Sequence, residues 1–295
     1  MGTTTLDGTN LVPWATKTGS GSTSVYTMTR DAFLDSLELT GSVQLVLTAW
    51  VRCTGTLTVG ASAAAHHDGG NGSNGTSGAG AAAATGVTTA TGGGAGANGR
   101  ITNGVGSNGT GIANSGGATI ASGVGSNGGN GGGAGAYAGG TGGAATAPAS
   151  ALGGFRAPPQ SLSGLCLNST GNTLVQGGAS GASGALTGAG GGHDPSASGC
   201  GGGGAGTAGI VAKTIVNNGR ISCNGGNGGN AYTGTSVATG AGGGGGGGGG
   251  TLWINTESFT GNTPQVNGGT GGAKVGTGVV GSAGQPGTLI LNVGA

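Results

Sequence analysis

The stretch Gly242-Gly243-Gly244-Gly245-Gly246-Gly247-Gly248-Gly249-Gly250-Thr251-Leu252-Trp253-Ile254-Asn255 sets the terms for the whole chain: nine glycines in a row run directly into a strand-like apolar segment. Glycine loses more backbone entropy on ordering than any other residue, so a fixed run of nine requires hydrogen-bond partners for its peptide groups. A flexible linker is the other reading of such a run. The setting argues for order, because the tract is embedded between β-type segments and lacks the Lys, Glu, Gln and Pro that dress ordinary linkers. The ordered form open to it is an extended left-handed helix of the polyproline II type. That helix has three residues per turn and no internal hydrogen bonds, so every N–H and C=O turns outward to a neighbour. Only glycine permits the close approach. Collagen's strict period with abundant proline is absent: the chain has 7 Pro.

The same texture fills most of the molecule. Glycine accounts for 83 of 295 residues, against a usual share of about 7%. Leu, Ile, Val and Phe together fall below the ~20% at which a conventional packed core becomes doubtful. High net charge, the other half of the disorder signature, is missing: the formal charge is +1 and charged residues are 5%. A recurring unit is visible, consisting of a strand, an Asn-Gly turn and a glycine tract, at roughly 40-residue spacing. It is seen at Gly99-Arg100-Ile101-Thr102-Asn103-Gly104, at Ala118-Thr119-Ile120-Ala121 before Asn127-Gly128-Gly129, and at Ile221-Ser222-Cys223 before Asn224-Gly225-Gly226-Asn227-Gly228-Gly229. A further copy leads from Thr251-Leu252-Trp253 to Val266-Asn267-Gly268-Gly269. Such repetition predicts stacked units that bury their apolar edges against one another.

Residues 1–62 read differently. Period-two alternation over Phe33, Leu34, Leu37, Leu39, Val43, Leu45 and Leu47, then Trp50, Val51, Leu57 and Val59, predicts short strands of three to five residues, broken at Thr40-Gly41 and Thr54-Gly55. The expected fold class is therefore mainly β and irregular with essentially no α-helix. A short-strand N-terminal region (1–62) precedes a glycine-rich repeat body (63–295), built either as a polyglycine II-like helix bundle or as a β-solenoid. Within that body, residues 148–176 stand out as a non-glycine insertion.

Several classes of function drop out. Lys and Arg are scattered singly, so no basic stripe is present for nucleic acid. No apolar run approaches the ~20 residues that cross a bilayer, and no signal peptide is read at the start. The four cysteines, Cys53, Cys166, Cys200 and Cys223, show no paired zinc or redox spacing and read as reduced fillers. His66-His67-Asp68 and His193-Asp194 are metal-capable types. Neighbours on an extended chain point to opposite faces, however, so no metal or other cofactor is expected. Matches to G-x-G-x-x-G carry nothing at this glycine content. No nucleophile elbow, P-loop or close carboxylate pair occurs, so no catalytic residue is assigned and the chain is not read as an enzyme.

The segment Tyr26-Thr27-Met28-Thr29-Arg30-Asp31-Ala32-Phe33-Leu34-Asp35-Ser36-Leu37-Glu38-Leu39, then Val51-Arg52-Cys53-Thr54-Gly55-Thr56-Leu57-Thr58-Val59-Gly60, followed by Asn-Gly-Gly tracts, resembles the glycine-rich virion proteins of tailed bacteriophages. These include tail-fibre, tail-tip and adhesin components. The glycine tracts alone are shared with mycobacterial repeat proteins and glycine-rich arthropod antifreeze proteins. The resemblance implies a structural adhesin located in the virion, with an N-terminal region that joins other virion proteins and a body whose loops touch a host-surface glycan or protein. A capsid decoration or head-fibre protein is the alternative, and an antifreeze-like surface binder the second. Thr shows no regular T-x-T ladder, which counts against ice binding. Open lattice sides favour a homotrimer. Tyr137, Phe155, Arg156 and Tyr232, aromatic or cationic residues in glycine-rich or proline-rich surroundings, are the receptor-contact candidates.

Overall fold

The computed structural model of the chain describes residues 2–76, 199, 201–202, 205–232 and 241–294. They are mainly β, with one 3-10 turn at Gly21–Thr23 and no α-helix among the described residues. Two sheets form. The first runs β1 (Thr3–Leu6), β5 (Ser36–Leu39), β7 (Trp50–Val59), β9 (Thr207–Asn217), β11 (Thr251–Gly261) and β12 (Thr288–Val293), with β4 (Ala32–Leu34) paired to the front half of β7. All of its neighbours are parallel. The second runs β10 (Arg220–Ser222), β8 (Ala64–His66), β6 (Gln44–Val46), β3 (Val25–Met28) and β2 (Ala15–Thr18), parallel except for the β2–β3 pair.

The apolar positions read from the sequence line the space between the sheets, except Phe33, which is 72% exposed with the Arg52 guanidinium over its ring. Leu6, Tyr26, Leu37, Leu39, Leu45, Leu47, Leu57, Ile210, Ile215, Ile221 and Leu252 are fully buried in one cluster. The Tyr26 hydroxyl donates to the Asn10 carbonyl at 2.8 Å, which satisfies its polar end. Both sheets draw strands from either side of residue 62, so residues before and after that position share this core.

Two local expectations need correction. The chain does not break at Thr54-Gly55; β7 is a single ten-residue strand with a register shift between Cys53 and Thr56. Gly55 is needed there because its N–H donates to the Asp35 carbonyl, and a Cβ would lie 2.8 Å from that oxygen. Gly209 plays a similar part in β9. It stands in register with both Trp50 and Trp253, whose rings meet edge to face with centroids 6.1 Å apart, and a Cβ on it would lie 2.3 Å from the Trp50 ring.

The second correction concerns the Asn-Gly steps. Asn218-Gly219 is a bend between β9 and β10, but Asn71-Gly72, Asn224-Gly225, Asn227-Gly228 and Asn267-Gly268 are not turns. They lie in extended glycine segments that prolong the strands. Segment A (69–75) follows β8, segment C (224–231) follows β10, and segment E (266–273) follows the Ser222–Gln265 bridge. Segments B (199, 201–202 and 205–206), D (241–250) and F (279–287) lead into β9, β11 and β12 respectively. The strand order of each sheet therefore continues as a row of glycine segments: A–C–E beyond one sheet and B–D–F beyond the other.

Hydrogen bonds recur at every third residue. In the first row, Gly69, Gly72 and Gly75 donate to the carbonyls of Asn224, Asn227 and Asn230, while Gly225, Gly228 and Ala231 donate to Asn267, Thr270 and Ala273. In the second row, Gly199, Gly202 and Ala205 donate to Gly242, Gly245 and Gly248, and Gly243, Gly246 and Gly249 donate to Val279, Ser282 and Gln285. Between rows, Gly244, Gly247 and Gly250 donate to Gly229, Gly226 and Cys223, and Gly269 and Gly272 donate to Gly247 and Gly244. Within a row the segments run the same way; the two rows run oppositely. Segment D is buried at all ten positions. A Cβ at Gly243, Gly246 or Gly249 would lie 2.0 to 2.2 Å from a carbonyl oxygen of segment E. Side chains are excluded there by backbone, which does not move aside.

Candidate functional site

Three places on this frame gather side chains with chemical potential: the junction between sheets and glycine segments, the outer face of the A–C–E row, and the free end of the segments.

At the junction, His66, Asp68, Arg220 and Ser222 cluster on one face of β8 and β10. The Asp68 carboxylate accepts from the Arg220 guanidinium, from the Ser222 hydroxyl at 2.8 Å and from the Asn224 N–H at 2.7 Å. Arg220 also reaches the Ser222 Oγ at 2.6 Å. His66 Nδ1 stands 3.5 Å from Asp68 Oδ2, and its Nε2 is 3.2 Å from Gln44 Oε1. Burial pushes the His66 imidazole below its ordinary pKa of 6.5, outweighing the attraction of Asp68. His67 turns the other way and is buried, its ring filling the space a Cβ on Gly206 would need. Asp68 is therefore occupied by structural partners, and the adjacent histidines face opposite sides. No group of three His, Cys, Asp or Glu side chains gathers among the described residues. Cys53 and Cys223 are free thiols held neutral by burial, Cys53 at about 11 and Cys223 well above its ordinary value, which suits packing rather than nucleophilic chemistry.

The outer face of the A–C–E row carries a ladder of amides. Asn71 Oδ1 accepts from the Asn227 N–H at 2.9 Å and Asn74 Oδ1 from the Asn230 N–H at 2.8 Å. Asn224, Asn227 and Asn230 in turn accept from the N–H groups of Asn267, Thr270 and Ala273 at 2.8, 2.9 and 2.7 Å. Asp68 occupies the first position of the same series, three residues before Asn71, and serves the Asn224 N–H in the same way. With each Oδ1 turned inward to a backbone donor, the amide NH2 groups of Asn71, Asn74, Asn227 and Asn230 are left toward solvent, while that of Asn224 donates to Gln265 Oε1 at 3.2 Å. A groove of about 380 Å3 lined by Asp68, Asn71, Asn224, Asn227 and Asn267 runs along this face.

At the free end, opposite the sheets, segments A, C and E finish and segments B, D and F begin. The short turn from Ala273 to Val279 is closed by the Val275 N–H on the Ala241 carbonyl and the Gly278 N–H on the Val275 carbonyl, with Gly276 at φ 53°. Val279 and Val280 are about half exposed. Of the receptor-contact candidates, Tyr232 lies here, half-buried, next to Ala231 at the end of segment C. Tyr137, Phe155 and Arg156, the 148–176 insertion, and Cys166, Cys200 and His193-Asp194 lie outside the described residues.

The amide ladder was not anticipated from the sequence. Its signal was the period of three in Asn224, Asn227 and Asn230, and in Asp68, Asn71 and Asn74, where asparagine takes the one outward position of each turn. No family model, no curated protein and no solved structure matches the chain.

Proposed function

We propose that the chain is a structural virion protein of the glycine-rich tailed-phage type, most simply a tail-fibre or tail-tip adhesin, whose body is a polyglycine II lattice. The lattice reading is supported by the period-three hydrogen bonding of six segments in two opposed rows and by the absence of room for any Cβ on the inward positions. The adhesin reading rests on one observation. Segments enter the lattice from strands at one end, whereas at the other end outgoing segments give way to returning ones, after residues 76, 232 and 273. A stiff body held by buried backbone hydrogen bonds thereby brings the ends of segments A, C and E and the starts of segments B, D and F to a single pole, the arrangement that recognition on a rigid scaffold requires.

In this reading residues 1–62 face other virion proteins, Tyr232 and the free end face a host glycan or protein, and copies associate as a homotrimer, without nucleic acid, cofactor or membrane insertion. A capsid decoration or head-fibre role would use the same body. Electron microscopy of virions labelled with an antibody to this chain separates the two. Label at the tail tip or fibres supports the adhesin; label over the head supports decoration; virions without label refute both.

A further inference from the structure

Six Asn-Gly steps lie in the described residues: Asn71-Gly72, Asn74-Gly75, Asn218-Gly219, Asn224-Gly225, Asn227-Gly228 and Asn267-Gly268. Asn-Gly is the dipeptide most prone to spontaneous rearrangement, because glycine puts no side chain in the way when its backbone nitrogen attacks the preceding Asn side chain. The attack needs a glycine N–H free of other bonds and an amide free to swing toward it. The lattice removes both freedoms at most of these steps. The N–H groups of Gly72, Gly75, Gly225 and Gly228 donate to the carbonyls of Asn227, Asn230, Asn267 and Thr270. The Oδ1 atoms of Asn71, Asn74, Asn224 and Asn227 are each held by a backbone N–H of the adjoining segment. At Asn218-Gly219 the Gly219 N–H donates to the Val59 carbonyl at 3.1 Å.

Asn267-Gly268 stands apart. Among the described residues segment E is the last of its row, so none of them offers its backbone to the Asn267 side chain, and that amide makes no hydrogen bond with any of them. The Gly268 N–H is also without a hydrogen-bond acceptor among the described residues. Asn267 is exposed and Gly268 half-buried, so water reaches the site.

We infer that Asn267-Gly268 is a modification site, the described Asn-Gly step at which this chain spontaneously forms a succinimide and then aspartate or isoaspartate. The Gly268 nitrogen bonds to Asn267 Cγ and gives up its proton. The Cγ–Nδ2 bond breaks, and the nitrogen leaves as ammonia. Water then adds to one or other imide carbonyl and reopens the ring. No oxidant, metal or enzyme is needed. The aspartate product adds a negative charge to the amide face. The isoaspartate product adds a methylene to the backbone of segment E and moves Gly269 and Gly272 out of step with their acceptors Gly247 and Gly244. The ladder thus has a protective effect: it shields the Asn-Gly steps it spans and leaves its edge vulnerable.

The test is peptide mapping by mass spectrometry of the folded full chain, aged in mildly alkaline buffer, with isoaspartyl methyltransferase labelling to identify the isomer. The expected result is that Asn267 converts on the order of tenfold or more faster than Asn71, Asn74, Asn224 and Asn227, since each of those must first lose hydrogen bonds. In denaturant the five rates should converge. Equal rates in the folded chain, or a ratio that persists in denaturant, would overturn the inference. The variant Asn267→Thr, matching Thr270 one turn further along the same face, should abolish the product in that peptide while leaving the thermal midpoint close to wild type. Product persisting in that peptide would place the reaction elsewhere.

Discussion

Replacing Gly246 with alanine puts the packing of the glycine segments to a quantitative test. Gly246 lies in the middle of segment D, and an added Cβ would sit 2.0 Å from the Gly269 carbonyl oxygen, 2.5 Å from its carbon and 2.9 Å from the Thr270 oxygen. All three are backbone atoms of a segment that segments C, D and F hold by hydrogen bonds, so relief requires segments D and E to part by more than 1 Å, roughly the gap to ordinary contact. That movement breaks the Gly269 N–H bond to Gly247 and strains the Gly246 N–H bond to Ser282, now 2.8 and 2.9 Å. Each buried group left without its partner costs about 1–3 kcal/mol. Alanine restricts the unfolded chain and returns about 0.4–1 kcal/mol. With the two groups of the broken bond unpaired and the alanine gain subtracted, the net destabilisation comes to about 1–5 kcal/mol. For a chain of this size each kcal/mol moves the midpoint by about 2–4 °C, so thermal unfolding followed by circular dichroism should show a drop of roughly 10 °C. Ala273→Ser, exposed at the end of segment E, serves as the control and should change little. A Gly246→Ala midpoint within ~2 °C of wild type would refute close backbone packing in segment D.

Other outcomes follow from the same geometry. Asn227→Ala removes the acceptor of both the Thr270 N–H and its hydroxyl, each at 2.9 Å, and should cost about 1 kcal/mol, whereas Asn227→Asp keeps the acceptor and should cost less; chemical denaturation of the two variants decides. His66 is held neutral by burial, so its unfolded form binds protons more readily. Its contribution is complete above the ordinary pKa of 6.5 and declines as pH falls through that value, so the thermal midpoint should drop from pH 7 toward 5, and less steeply in His66→Gln. An unchanged slope in that variant would exclude His66 as the source. Cys53, with its thiol at about 11, should resist maleimide in the folded chain at neutral pH, as should the buried Cys223, and both should react fully in denaturant. Rapid labelling of either folded thiol would contradict its burial.

The sequence made the β character, the core of the N-terminal region and the ordering of the glycine tracts legible, each for a local physical reason. Alternation of apolar residues survives because Leu37, Leu39, Leu45, Leu47 and Leu57 all face one interior. The nine-glycine run signalled close approach because nothing larger fits where a carbonyl stands 2.0 Å from the missing Cβ. What local reading missed was nonlocal. The bulge at Gly55 that keeps β7 continuous depends on Asp35, twenty positions earlier. The Asn-Gly steps look like turns in isolation and become straight only because partners some forty to a hundred and fifty-six positions away satisfy them, as Asn71 does for Asn227. The amide ladder was present as a period of three, but its face could not be assigned without knowing which segments lie side by side.

Amide hydrogen exchange across residues 242–250, read by mass spectrometry on the intact folded chain, tests the ordering of the glycine segments most directly. Protection comparable to that of β9 and β11 is the expected result, because the N–H groups at 243, 244, 246, 247, 249 and 250 are each bonded to a neighbouring segment inside the body. Exchange at the rate of an unstructured glycine linker would contradict the lattice and, with it, the rigid body on which the proposed adhesin depends.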